Sequence, residues 1–244
     1  MGVTMMKIIA HRGASAYATE NTMPAFKKAV EWGVSGIETD IRLTKDGIPV
    51  LHHDSTIKRL TGNKNAVADL TLAELETYSF KKKGFLFRKG GSIVTLNQFL
   101  SFIQDFPSIT LHLEIKKEPE LANTIEERII DCIHMTSVKN QIIYSSFNHT
   151  SLHHIWELAP HSQIALLFTK QQPQLFDYIS HLSMPIKSIH PKHTLITLEM
   201  IEHAHQRGIA VNPFTVNTKR RARACKQMGV DGLITDHPLI AKRL

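Results

Sequence analysis

GIETDIRLTKDGIPVLHHD, residues 36–54, reads as a strand, a turn and a return run. In an extended strand, residues two apart share a face. Glu38, Asp40 and Arg42 therefore point one way, and Ile37, Thr39 and Ile41 point the other, toward a helix layer. The run continues as an extension at 48–53. LHLEIK, residues 111–116, divides in the same manner: Leu111, Leu113 and Ile115 on one face, His112, Glu114 and Lys116 on the other. Two strands, each with an apolar face and an acid-bearing face, call for helices on one side and a polar interior on the other.

Outward from these two strands, short β-rich runs alternate with helical patterns along the chain. The β runs fall at 7–10, 36–43, 109–115, 141–146, 163–168, 187–190, 209–214 and 232–235. Helical patterns fall at 23–32, 120–135, 151–158, 174–180, 198–207 and 219–228. Gly33, Gly208 and Gly229 end three of them, as glycine does past a helix C-terminus. Eight strands with crossover helices in 244 residues match a (β/α)8 TIM barrel of about 250 residues. A doubly wound parallel sheet fits the alternation as well. Neither GxGxxG after the first strand nor GxxxxGK[ST] occurs, which removes the main support for a dinucleotide or P-loop version. Residues 54–95 are irregular apart from a helix pattern at 72–78, and read as a small insertion after the second strand. About 40 residues is near the lower limit for independent folding, so residues 1–244 are read as a single α/β domain.

Hydrophobic residues make up 42% and charged residues 21%, which excludes a wholly disordered chain. Two cysteines carry no disulfide framework. No apolar run reaches the roughly 18 residues of a membrane helix, and the N-terminus lacks a signal-peptide apolar core. A cytoplasmic location without stable membrane insertion is expected. The formal charge of +7 points to anionic partners, nucleic acid, a lipid surface or a phosphorylated small molecule, or to a merely soluble basic surface.

Glu38, Asp40 and Glu114 converge from strand ends, where a barrel places its active site. Their mutual repulsion needs a cation. Oxygen donors suit a hard divalent ion, Mg²⁺ or Ca²⁺, and a salt-bridge cluster with Arg12, Arg42 and Lys116 stays open as the alternative. His11 and Arg12 end the first strand in HRGAS, and Gly13 permits a sharp turn or a close ligand approach. Arg12 suits a bidentate grip on phosphate. His53 ends the extension, and His11 with His53 makes an acid–base pair.

Taken in order, these segments resemble the glycerophosphodiester phosphodiesterase family of bacterial cytoplasmic type. HRGASAYATENTMPAF at 11–26 is similar to its opening HRG…PENT signature. GIETDIRLTKDGIPVLHHD carries the ExD strand and the following HD, and LHLEIK the third metal-ligand strand. RLTG at 59–62, VTLNQFL at 94–100, SSF at 145–147, PFTVN at 213–217 and GVDGLITDHP at 229–238 fit in sequence. The resemblance spans essentially the whole chain. It implies a TIM-barrel hydrolase that uses a divalent ion to split a glycerophosphodiester into sn-glycerol 3-phosphate and an alcohol. It implies Glu38, Asp40 and Glu114 as metal ligands and His11 and His53 as the catalytic pair. Arg12 and Lys116 fall on phosphate-contacting positions, and Glu20, near the entry of the site, on a substrate-side or supporting one. Phe214 stands where the family often has Trp, keeping an apolar wall for glycerol without an indole N–H. Asn97 replaces a common acid and is read as structural. His53, not His52, precedes Asp54 as the family's histidine does. His53 is taken as the acid and His11 as the base, with water or the substrate's 2-hydroxyl as nucleophile.

Competing readings are a phospholipase C or sphingomyelinase-D-like lyase on a related barrel, a barrel that binds without turnover, and a nucleic-acid binder. The basic stripe Lys219, Arg220, Arg223 and Lys226 lies opposite Ala222 and Cys225 and reads as a solvated helix face, so no nucleic-acid partner is expected. Residues 81–89 mix Phe85, Leu86 and Phe87 with basic residues and read as a packed loop, with a lid or lipid contact as the alternative. His149 and His153 have a metal-like spacing but no third ligand, and His190, Asn212 and His237 are candidate pocket residues. A homodimer is left as an option.

Overall fold

The computed structural model describes residues 6–81, 90–116 and 125–242. The residues with Phe85–Phe87 and the first residues of the helix pattern at 120–135 lie outside that range. The elements run β1 (Lys7–His11), α1 (Met23–Glu31), β2 (Gly36–Leu43), β3 (Pro49–Leu51), α2 (Lys58–Thr61), a single 3-10 turn (Val67–Asp69), α3 (Leu72–Glu76), α4 (Leu96–Ile103) and β4 (Thr110–Ile115). They continue α5 (Ile125–His134), β5 (Ile142–Ser146), α6 (His149–Leu158), β6 (Gln163–Phe168), α7 (Leu175–Ser180) and β7 (Ile186–Pro191). The chain closes with α8 (Leu198–Gln206), β8 (Ala210–Val211), α9 (Lys219–Met228), β9 (Gly232–Thr235) and α10 (Pro238–Lys242).

Eight of the strands pair in parallel, in the order β8-β7-β6-β5-β4-β2-β1-β9. The seam between β8 and β9 is bridged by Asp231 N donating to Val211 O at 3.1 Å and Ile234 N to Pro213 O at 3.1 Å. The result is the (β/α)8 barrel and not the doubly wound sheet. The extension of the second strand folds back as β3, antiparallel to β2, with Ile41 opposite Leu51. The strand expected at 209–214 keeps only two ladder residues. Pro213 has no N–H to offer a ladder.

Strand alternation sets two layers. Outward residues such as Ile37, Ile41, Leu111, Leu113, Ile189 and Leu233 pack under the helices in one large core. A smaller core of Val50, Ile57, Leu60, Val67, Leu70, Leu75, Phe80 and Ile93 holds the excursion after β2 together. α4 was not anticipated, although its signals stand in the sequence. Thr95 and Gln98 form a capping box, and Leu96, Phe99, Leu100 and Ile103 bury one face. Each of those burials contributes roughly 1.5–3 kcal/mol. α10 was also missed, being only five residues long.

Candidate active site

The C-terminal ends of β1, β2 and β4 meet in register. His11 lies beside Glu38, and Asp40 lies beside Glu114. Immediately after His11, Arg12 takes φ +56° and Gly13 φ +77°. A Cβ on Gly13 would stand 2.7 Å from the backbone carbon of Ala25. Only glycine allows this left-handed turn against α1. The turn brings Arg12 N within 2.8 Å of Glu38 O and 3.0 Å of Glu38 Oε2, both of which accept from it.

Glu38, Asp40 and Glu114 are all buried, and each offers an oxygen within 4.8 Å of the others. Two cations reach them. Arg12 Nε lies 3.0 Å from Asp40 Oδ2, and Lys116 Nζ lies 3.1 Å from Asp40 Oδ1. Lys116 also donates to Glu114 Oε1. Asn21 Nδ2 donates to Asp40 Oδ2 at 2.9 Å, and Asn21 Oδ1 accepts from Thr39 Oγ1 at 2.7 Å. Arg42, the third cation weighed from the sequence, instead donates to His53 O at 2.7 and 3.0 Å. Glu38 Oε1 accepts no hydrogen bond from the described residues.

The three acids differ electrically. Burial, then the charges of Asp40 and Glu114, raise Glu38 well above the ordinary carboxyl range. Burial and Asp40 push Glu114 up to about 7, against Lys116. Burial opposes ionisation of Asp40 too, but Arg12 and Lys116 outweigh it and hold Asp40 far below its usual value. Burial likewise opposes the charges on Arg12 and Lys116, and the surrounding carboxylates raise both. The donor set is all oxygen, incompletely neutralised, with an orphaned buried oxygen. That fits a hard divalent ion, which Glu38, Asp40 and Glu114 would hold.

Each histidine is backed by an aspartate. His11 Nδ1 meets Asp236 Oδ1 at 2.6 Å, and its Nε2 lies 3.9 Å from Glu38 Oε2. Ser15 Oγ (2.9 Å) and Asn217 Nδ2 (2.6 Å) donate to Asp236. Burial opposes ionisation of Asp236, but His11, Ser15 and Asn217 hold it well below the ordinary range. His53 Nδ1 meets Asp54 Oδ1 at 2.8 Å. Burial lowers the pKa of His53, Arg12 and Lys116 lower it further, and Asp40 opposes them. His52 turns away, its Nε2 on Thr56 O at 3.2 Å and its ring against Phe80.

Glu20 lies at the edge of the site, receiving Arg12 Nη1 at 2.8 Å. Phe214 packs edge-on against Phe147, ring centres 6.0 Å apart, and Lys116 Nζ lies 5.9 Å from the Phe147 ring centre. Asp236, Asp54, Asn21 and Phe147 were not assigned roles from the sequence. Asp236 stands in the ITDHP segment at the end of β9, and only barrel closure brings it to His11.

The other candidates disperse. His190 and Asn212 sit inside the barrel, His190 Nε2 lying 3.1 Å from Ser188 Oγ and 3.3 Å from Asn212 Nδ2. The His190 ring lies 5.3 Å from that of His112. Burial pushes the His190 pKa down to about 3. His237 rests edge-on against Tyr17. His149 and His153 use different partners, Tyr178 Oη and Ser183 Oγ, each at 2.8 Å. Lys219, Arg220, Arg223 and Lys226 are exposed, opposite buried Ala222 and Cys225. Glu126, Glu127 and His154 form a second acidic group that ties α5 to α6 in the outer helix layer.

The family model for the glycerophosphoryl diester phosphodiesterase family matches residues 11–240. The chain is 38% identical over 231 residues to a glycerophosphodiester phosphodiesterase of Caldanaerobacter subterraneus, covering 95% of this chain and 94% of that one. It is 33% identical over 236 residues to a glycerophosphodiester phosphodiesterase of Bacillus altitudinis, covering 96% of each. Among solved structures, it superposes with a TM-score of 0.90 on an Oleispira antarctica phosphodiesterase in complex with the product sn-glycerol-3-phosphate. That match is 24% identical, covering 97% of this chain and 95% of the other, and speaks to the fold.

Proposed function

The chain belongs to the glycerophosphoryl diester phosphodiesterase family, and we propose from that premise that it hydrolyses glycerophosphodiesters to sn-glycerol 3-phosphate and an alcohol. It is a phosphoric diester hydrolase on a TIM barrel. The finer reading is a metal-dependent, two-histidine mechanism, and one observation carries it. Three buried carboxylates within 4.8 Å of one another lie beside two histidines, each bonded through Nδ1 to an aspartate.

Bound at Glu38, Asp40 and Glu114, Mg²⁺ or Ca²⁺ would supply Lewis-acid stabilisation of charge on the phosphodiester oxygens. Arg12 and Lys116, already at the carboxylates, add fixed positive charge for the same oxygens. The bond broken joins phosphorus to the head-group oxygen. The new bond joins phosphorus to the attacking oxygen, whose proton passes to one imidazole, while the other imidazole protonates the departing alkoxide. The surroundings of the rings favour an order opposite to the one taken from the sequence. Burial, joined by the charges of Arg12 and Lys116 against that of Asp40, lowers His53 and favours its neutral form, that of a base. His11, held through Nδ1 by Asp236, which also accepts from Ser15 and Asn217, is then left as the acid. Phe147 and Phe214 form the apolar wall for the glycerol end.

We read residues 1–244 as one barrel unit carrying the excursion at 54–95. Among the described residues, no helix is long and apolar enough to cross a membrane. Two free thiols, Cys132 and Cys225, fit a reducing compartment such as the cytoplasm. The test is release of sn-glycerol 3-phosphate from a panel of glycerophosphodiesters, with and without chelator. Turnover lost with chelator and restored by Mg²⁺ or Ca²⁺ is expected. Undiminished turnover in excess chelator would overturn the metal.

A further inference from the structure

Arg59 sits on α2, in the excursion, outside the barrel. All three of its guanidinium nitrogens are engaged. Nε donates to Asp54 Oδ2 at 2.7 Å. Nη1 and Nη2 donate to Glu20 Oε2 and Oε1, each at 2.7 Å. Both acceptors lead into the site. The other oxygen of Asp54 meets His53 Nδ1 at 2.8 Å. Glu20 Oε1 also accepts from Arg12 Nη1 at 2.8 Å, and Arg12 Nε lies 3.0 Å from Asp40. One planar fork thus joins His53, from the loop after β3, to Arg12, from the loop after β1.

We propose that Arg59 is a positioning residue for the reaction, a clamp that sets His53 through Asp54 and Arg12 through Glu20. The proposal rests on the two-histidine reading above and deepens it. Two alternating charges of each sign, Arg12, Glu20, Arg59 and Asp54, balance along the chain, so neither carboxylate pulls Arg12 or His53 out of line. A lysine has one ammonium and cannot span three acceptors in a plane. Side-chain exposure of 43% at Arg59 means that its ion pairs add little to folding stability. The excursion keeps its own apolar core and its own backbone ties to the barrel, such as Leu51 N to Val94 O at 2.8 Å. A merely structural staple would therefore leave turnover nearly intact.

The experiment compares wild type, Arg59→Ala, Arg59→Lys and the control Lys58→Ala, an exposed neighbour on the same helix. Expected for Arg59→Ala and Arg59→Lys is a fall in kcat of about 10- to 100-fold, with a melting temperature near that of wild type and Lys58→Ala at wild-type turnover. Added guanidinium, at tens of millimolar, restores part of the Arg59→Ala rate and leaves Arg59→Lys unchanged. In ¹⁵N-histidine spectra, the His53 Nδ1 signal moves in Arg59→Ala while that of His11 does not. Wild type without turnover overturns the hydrolase reading and the clamp with it. An active wild type with Arg59→Ala within twofold of it overturns the clamp alone. Loss of rate matched by loss of fold, with no guanidinium rescue and no His53 shift in the remaining folded protein, also overturns it.

Discussion

At the scale of single residues, two of the clustered acids predict opposite responses to the same chemical change. Asp40 is the acid that Arg12 and Lys116 hold ionised. Asp40→Asn leaves two half-buried cations short of a buried partner and should cost up to about 3 kcal/mol, read by urea unfolding. Burial and then its acidic neighbours raise the Glu38 carboxyl well above the ordinary range. In chelator, Glu38→Gln removes a carboxyl whose charge is disfavoured there and should stabilise the fold relative to wild type, while turnover in metal falls. Equal signs for the two variants would show that the charge assignment is wrong. Asp236 provides a third case. Asp236→Asn retains the shape but removes the charge behind His11, so kcat should drop by about 100-fold or more with KM little changed. Steady-state rates near wild type would remove Asp236 from the machinery. Glu38, Asp40 and Glu114 were legible because strand alternation and the ExD pattern are local. Asp236 was not, since 225 residues separate it from His11.

At the scale of elements, the turn after β1 depends on backbone space more than on side-chain chemistry. Gly13 holds φ +77° with Ala25 backbone 2.7 Å from where a Cβ would sit. Gly13→Ala should therefore cost more than about 1 kcal/mol and displace His11 and Arg12. Thermal unfolding and kcat should fall together, and a variant with normal values of both would contradict the geometry. Apart from β8, the strands were readable to within a residue or two because their apolar faces repeat every second position. α4 was passed over inside an irregular stretch although its capping box and apolar stripe were present. β3 was read as an extension, and only the return of the chain onto β2 makes it an antiparallel strand. In the sequence the excursion reads as a small insertion, with no site role given to Arg59. Its link to the site runs through Arg59, whose partners Glu20 and Asp54 lie in two separate loops.

For the whole molecule, closing the barrel buries an unusual interior layer. His112 and His190 face each other there, each with an Nδ1 that has no hydrogen-bond partner among the described residues. Burial holds His190 at about 3 and His112 well below its usual value. An unfolded chain takes up these protons near pH 6.5, whereas the folded one resists until far lower. Stability is thus intact above about pH 6.5 and lost as pH falls toward 3, by up to about 1.4 kcal/mol per pH unit for each ring. His190→Gln should flatten that slope in denaturant melts across the window, and an unchanged slope would exclude His190 as its source. The amino-acid sequence by itself determined the alternation of strands and helices and the faces of each strand, and so which acids share a face, because those follow from periodicity over a few neighbouring residues. Only the tertiary structure decided that the sheet closes, that Asp236 and Asp54 stand behind the histidines, that Arg42 serves a carbonyl, and that Arg59 spans two loops. The His11–Asp236 pairing joins residues 225 apart and comes into being only when the barrel brings its first and last strands together. The others depend on how the return of the chain onto β2 and the loop after it orient the side chains, which no local period encodes.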